Sequence, residues 1–186
     1  MSTLMMFNSV SVDGYFTDAK GDMSWAHQDD PEWRDFTSEN EKGDGGILLF
    51  GRVTYEMMAG HWPTPQAKEQ FPEVAERMNS AQKVVFSRTL NKASWNNTRL
   101  VKGDLVAEVR RMKRESDDMV ILGSGSVVSQ LAQENLIDQY QLVLIPIVLG
   151  SGRTLFEGMS HKLGVKRTQS RTFRNGSVLL TYEPKR

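Results

Sequence analysis

Four large apolar residues in succession, Ile47-Leu48-Leu49-Phe50, run directly into Gly51-Arg52 and a helix-spaced stretch through Tyr55, Met58 and Ala59. A strand with one wet face alternates apolar and polar residues; one that is apolar throughout must be covered on both faces. Helices on both sides of a sheet require parallel strands joined by crossovers. The rest of the chain repeats that rhythm. Residues 4–12, 83–87, 98–101, 119–122 and 139–147 predict strands. Residues 105–115 and 127–135 predict helices, the first capped by Asp104 and presenting Leu105, Val109 and Met112 on one side.

The remaining signals are punctuation. Asp13-Gly14 ends the first strand, and Asp30-Pro31-Glu32 predicts a helix start that would carry Trp33, Phe36 and Thr37 to about Glu41. A loop is expected across the Gly43-Asp44-Gly45-Gly46 cluster. Residues 66–79 have helical spacing, with Pro72 either kinking that helix or starting it. Asn175-Gly176 between residues 165–173 and 178–183 predicts a hairpin. The fold class is therefore α/β, a mostly parallel central sheet flanked by helices on both faces, closed by a C-terminal antiparallel hairpin. No repeat or linker interrupts residues 1–186, which read as one domain.

Composition removes several functions. Without cysteine there is no disulfide, thiolate zinc site or cysteine nucleophile, and a reducing compartment is expected. Lys+Arg and Asp+Glu both total 23, for zero net charge. The densest basic run, Arg110, Arg111, Lys113 and Arg114, is interleaved with Glu108, Glu115, Asp117 and Asp118. It predicts a solvated helix face, so no nucleic-acid partner is expected. No apolar run approaches the ~20 residues of a membrane span and no signal pattern opens the chain, so a cytoplasmic location and no membrane partner are expected. His27, His61 and His161 are isolated, and no metal is expected.

Three strand ends carry chemistry. A helix N-terminus has unpaired N–H groups and about half a positive charge, which suits a phosphate. At Gly51-Arg52-Val53-Thr54, glycine permits close approach, arginine supplies a permanent forked cation and threonine a hydroxyl. At Ser87-Arg88-Thr89, hydroxyls beside an arginine fit a monophosphate, such as the 2′-phosphate that distinguishes NADP from NAD. At Gly123-Ser124-Gly125-Ser126-Val127, a glycine-serine turn opens a helix that could bind a pyrophosphate. That turn matches the Rossmann fingerprint only in part, since Val128 holds the third glycine position, and no P-loop sequence occurs.

In combination, Ile47-Leu48-Leu49-Phe50-Gly51-Arg52-Val53-Thr54-Tyr55-Glu56, Val84-Val85-Phe86-Ser87-Arg88 and Gly123-Ser124-Gly125 resemble the dihydrofolate reductase superfamily. Ser11-Val12-Asp13-Gly14-Tyr15 narrows the resemblance to the riboflavin-biosynthesis reductase domain, the RibD C-terminal type. So do Leu136-Ile137-Asp138, then Pro146-Ile147-Val148-Leu149-Gly150-Ser151-Gly152 and Leu155-Phe156. Gln139 departs from that pattern, which has glutamate after the aspartate, and Gly-Ser-Gly stands where a glycine triplet is common. There is no H-x-E or C-x-x-C of the accompanying deaminase, so the chain resembles a stand-alone relative.

The resemblance implies a dihydrofolate reductase-like fold and NADPH as cofactor. Gly51, Arg52 and Thr54 would meet its phosphates, Ser87 and Arg88 the 2′-phosphate side, and Gly123, Ser124, Gly125, Ser126 and Val127 the pyrophosphate. It also implies a homodimer joined through the later strands. The expected activity is hydride transfer from NADPH to a C=N or C=O bond of a small pterin-, pyrimidine- or ribityl-type substrate. Reduction of such a bond also needs a proton, for which Asp13, at the end of the first strand, and Asp35, preceding the apolar run, are the candidates. Trp25, Trp33, Phe36 and Trp62 could stack on a flat heterocycle or fill core. The alternatives are a non-catalytic NADPH-binding protein and a phosphate-binding α/β transferase.

Overall fold

A computed structural model describes residues 1–27, 30–40, 46–115 and 117–185, without the side chains of residues 37–40. Eight strands form one sheet in the order β4-β3-β2-β5-β1-β6-β8-β7. They are β1 (Leu4–Ser11), β2 (Ile47–Gly51), β3 (Lys83–Phe86), β4 (Thr98–Val101), β5 (Met119–Leu122), β6 (Gln139–Ile145), β7 (Val165–Thr172) and β8 (Val178–Pro184). All pairings from β4 to β6 are parallel, whereas β8 is antiparallel to both β6 and β7. The expected α/β class and C-terminal hairpin are what the chain forms.

Among the described residues six α-helices accompany the sheet: α1 (Pro31–Asn40), α2 (Arg52–His61), α3 (Pro65–Gln70), α4 (Pro72–Ser80), α5 (Leu105–Glu115) and α6 (Gly125–Gln133). Pro72 starts a helix rather than kinking one. Phe71 before it sits at φ −136°, ψ 63°, outside the helical region that a following proline disfavours. Asp104 caps α5 as expected, its Oδ1 accepting from the Ala107 N–H at 2.8 Å. Helix α6 begins earlier than expected and ends earlier too. Its end is set by Asn135 at φ 52°, with the Leu136 N–H closing back on the Leu131 carbonyl at 3.0 Å. Strand β6 stops at Ile145 because Pro146 has no N–H to continue the ladder. At the hairpin tip Gly176 takes φ 89°, where glycine is at ease. The expected loop at Gly43-Asp44-Gly45 lies outside the described residues.

Both sheet faces are covered, as the apolar run requires. On one, Leu4, Met6, Leu49, Met119 and Ile121 pack with Val109 and Met112 of α5 and Val127, Val128 and Leu131 of α6. On the other, Phe50 and Val85 pack with Tyr55 of α2 and with Trp95, while Phe36 of α1 packs with Val143, Phe173 and Leu179. Each such Leu, Val or Phe contributes about 1.5–3 kcal/mol by burial. Topology then fixes the site. From β2 the chain moves outward through α2, α3 and α4 to β3; from β5 it moves the opposite way through α6 to β6. Right-handed crossovers in opposite directions put α2 and α6 on opposite faces. A crevice opens at the carboxyl ends of β2 and β5, the switch point where α/β sheets bind ligands.

Candidate functional site

That crevice is a cavity of about 750 Å³, within the ~300–1,000 Å³ of small-molecule sites. Three strand ends more than 30 residues apart in sequence converge on it. Gly51, Arg52 and Thr54 line it at the start of α2, Ser87 and Arg88 beyond β3, and Ser124, Gly125, Ser126 and Val127 at the start of α6. Both helix N-termini therefore open into one space, each with amides its own helix leaves unpaired.

The hydroxyls expected on phosphate are mostly engaged in building the walls. The Ser124 N–H donates to Thr54 Oγ1 at 3.0 Å, and the Gly51 N–H donates to Ser124 Oγ at 2.9 Å. These two bonds lace α2 to the turn before α6. Ser87 Oγ likewise accepts from the backbone N–H groups of Thr89 at 3.2 Å and Leu90 at 3.0 Å, shaping the loop that carries Arg88. Gly123 does not line the cavity but lies beneath it, at φ 58°, its carbonyl accepting from Asn8 Nδ2 at 3.2 Å. A Cβ there would stand 2.9 Å from Thr54 Oγ1, and one on Gly125 would stand 2.8 Å from the Phe16 ring. The glycines serve close approach of wall to wall as well as of ligand to backbone.

The two cations differ. Arg52 pairs with Glu56 one turn on, at 2.9 Å, with both side chains about half exposed; such a pair contributes ~0.3–0.5 kcal/mol and yields readily to a phosphate. Arg88 is exposed at the cavity and has no acidic partner among the described residues. The end of the cavity beyond β1 is built from Phe16, Thr17 and Met23, with Arg153 and Glu157 from the loop after β6. On α2, Val53 and Met57 are exposed apolar groups that also face it.

Neither expected acid lines this space. The Asp13 carboxylate accepts from Ser11 Oγ at 2.7 Å and from the N–H groups of Leu149 at 3.1 Å and Gly150 at 2.7 Å. The Ser11 hydrogen bond lowers its pKa from 3.8 to about 2, with burial opposing it and those two amides adding to it. Through these three bonds it ties the loop after β6 to the end of β1. Asp35 is exposed on α1, the helix that covers β6 and β8. Of the four aromatics, Trp33 and Phe36 fill core, with Phe173 at 5.3 Å from each ring. Trp62 packs on the α2 side, its indole N–H donating to Met58 Sδ at 3.1 Å, and Trp25 packs against the Phe36 cluster.

Arg153 is among the lining residues that sequence reasoning passed over. Its loop meets the segment after β1 through two backbone bonds, Phe16 N–H to the Arg153 carbonyl at 2.9 Å and Arg153 N–H to the Thr17 carbonyl at 3.2 Å. The signal that could have found it is Gly152, where a Cβ would lie 2.0 Å from the Thr17 carbonyl oxygen. Such a glycine marks contact with a remote backbone. Among the described residues no cluster of His, Asp or Glu could hold a metal ion, and no helix is long and apolar enough to cross a membrane.

Residues 2–179 match the RibD C-terminal domain family. The chain belongs to that family. Solved structures agree in fold. One from Shewanella sp. PV-4, named for riboflavin biosynthesis, is 24% identical, with 99% of each chain covered and a TM-score of 0.78. The Thermotoga maritima diaminohydroxyphosphoribosylaminopyrimidine deaminase/5-amino-6-(5-phosphoribosylamino)uracil reductase is 17% identical with a TM-score of 0.69; 99% of this chain covers 57% of that one. Dihydrofolate reductase from Enterococcus faecalis, solved with NADP(H), is 16% identical with a TM-score of 0.66, covering 99% of this chain and 97% of that one. The fold of this RibD C-terminal domain protein is that of dihydrofolate reductase.

Proposed function

We propose that this protein is an NADPH-dependent reductase acting on a C=N or C=O bond of a small pyrimidine- or pterin-type heterocycle. One observation carries the reading: two helix N-termini and Arg88, which has no acidic partner among the described residues, open into a single cavity at the switch point of the sheet. The walls fit such a cofactor in order. Arg88 at the β3 end matches a 2′-phosphate. The amides at the starts of α2 and α6, over β2 and β5, match a pyrophosphate, with Arg52 released from Glu56 to join them. The bound cofactor would supply hydride; the chain's work is to bind and orient it and to shield the reacting end. Phe16, Met23, Val53 and Met57 offer the apolar surface for that end. Kinship adds support, since reductases are among the relatives of the same fold.

The proton is a separate matter. A carboxylate held near pKa 2 by three donors is a poor acid at neutral pH, so Asp13 acts as a positioning residue. Exposed Arg153 borders the cavity at the end beyond β1, and a water entering beside it would serve as proton source. Asp35 is then dispensable.

Turnover tests the reading. With pterin and pyrimidine substrates offered in a panel, loss of reduced-nicotinamide absorbance is expected with NADPH. Asp35→Asn should retain that rate, since loss of a general acid costs roughly 10²–10⁴-fold. Tight NADPH binding without oxidation across the panel would leave a binding protein; preference for a sugar phosphate or ATP would leave a transferase.

A further inference from the structure

We infer that Asn8 is a positioning residue of the cofactor site, whose side-chain amide holds the turn at Gly123-Ser124 and so aims the first amides of α6 at a diphosphate. This role rests on the cofactor reading above and deepens it. On β1 the side chains of Leu4, Met6, Asn8 and Val10 alternate onto one buried face, and the other three belong to the apolar core. Asn8 breaks that series. It is 3% exposed, and its Oδ1 has no hydrogen-bond partner among the described residues. A buried acceptor left unmet lowers stability, so a leucine of the same branching would suit the sheet better. What the other half of the amide does explains its presence.

That half reaches the turn. The register pairs Phe7 with Leu122, where β5 ends, so Asn8 stands beside the first residue past the ladder. Its Nδ2 donates to the Gly123 carbonyl at 3.2 Å. The chain there places two left-handed residues in succession, Gly123 at φ 58° and Ser124 at φ 59°, ψ 53°. Glycine adopts that region freely, whereas serine is strained in it and stays only where its surroundings hold it. Thr54 Oγ1 accepts from the Ser124 N–H at 3.0 Å. The Ser124 hydroxyl donates to the Leu122 carbonyl at 3.0 Å and accepts from the Gly51 N–H at 2.9 Å. The turn is thus gripped from α2, from β2 and, through Asn8, from β1. Ser124 is the N-cap residue of α6, and Gly125 and Ser126 after it line the cavity. The course of the turn sets where their N–H groups point, and a phosphate binds best to donors already in line.

The probes are inorganic pyrophosphate and NADPH, titrated by calorimetry into the wild type, Asn8→Leu and Asn8→Ala at constant ionic strength. Both variants lose the donor and differ in bulk. Asn8→Leu is expected to keep or raise the midpoint in urea, and Asn8→Ala to lower it. Both should nonetheless weaken pyrophosphate and NADPH roughly tenfold, the loss expected when one charge-assisted hydrogen bond falls out of line. The Ser124 amide should exchange faster in both. Unchanged affinities in the variants overturn the inference, as does unchanged exchange at Ser124. A loss confined to Asn8→Ala, following its stability, also overturns it and makes Asn8 a packing residue. So does a wild type that binds neither probe. If the wild type binds pyrophosphate but not NADPH, the reductase reading falls, and the dependence of pyrophosphate on Asn8 still decides this one.

Discussion

At the scale of single residues, a side chain's commitments inside the fold decide what it can do for a ligand. Thr54, Ser87 and Ser124 resemble ligand hydroxyls in the sequence, yet their oxygens already accept backbone N–H groups within the walls. Arg88 has no such commitment among the described residues. Arg88→Ala is therefore expected to weaken NADPH by roughly ten- to a hundredfold and NADH hardly at all, since a charge-assisted hydrogen bond contributes about 1.5–3 kcal/mol. Equal losses for both nucleotides in a fluorescence titration would remove Arg88 from the 2′-phosphate. Gly125 makes a second test. A methyl group there meets the Phe16 ring at 2.8 Å and the Thr154 carbonyl oxygen at 3.2 Å. Gly125→Ala should cost about 1–3 kcal/mol of stability by overpacking, read as a lower midpoint in urea, and unchanged stability would show that the wall gives way freely.

At the scale of elements, the clasp between residues 11–17 and 149–153 holds the far end of the cavity together, and Asp13 makes it sensitive to acid. A carboxylate whose folded pKa is depressed adds stability that is present above its unfolded pKa and lost as pH falls through the folded one. For Asp13 that window runs from about pH 4 down to about pH 2. Amide exchange at Leu149 and Gly150 should quicken across it, and Asp13→Asn should show fast exchange at these amides already at neutral pH. Slow exchange in the variant would mean that the backbone bonds between Thr17 and Arg153 suffice alone. The elements themselves were largely legible, because strand runs, caps and prolines act within a few residues of chain. Asp104 capped where it was expected to cap, and Pro72 resolved its own ambiguity by opening a helix. The clasp was not legible. It joins segments more than 130 residues apart, and nothing local in Gly152 or Arg153 says that Thr17 will be the neighbour.

For the whole molecule, what the sequence carried was the list of strand ends, and what the fold added was their order along one line. The phosphate candidates at Gly51-Arg52, Ser87-Arg88 and Gly123-Ser124-Gly125 could be named from residue types, but their meeting depends on β5 inserting between β2 and β1. Neither proton candidate lines the cavity, since nearness in sequence to a strand end does not fix which face or cavity a carboxylate meets. At the other edge, β7 leaves seven of its eight residues exposed, while Lys166, Arg167 and Arg171 guard it against further strand addition. The expected homodimer would bear on the faces of the hairpin rather than extend the sheet, and light scattering should report twice the chain mass; the mass of one chain would remove it. The cofactor remains the claim on which the account turns. The most direct measurement is a titration of the purified protein with NADPH and with NADH, followed by nicotinamide fluorescence. Saturable binding with a clear preference for NADPH is the predicted result; binding of neither nucleotide, or of both alike, would contradict it.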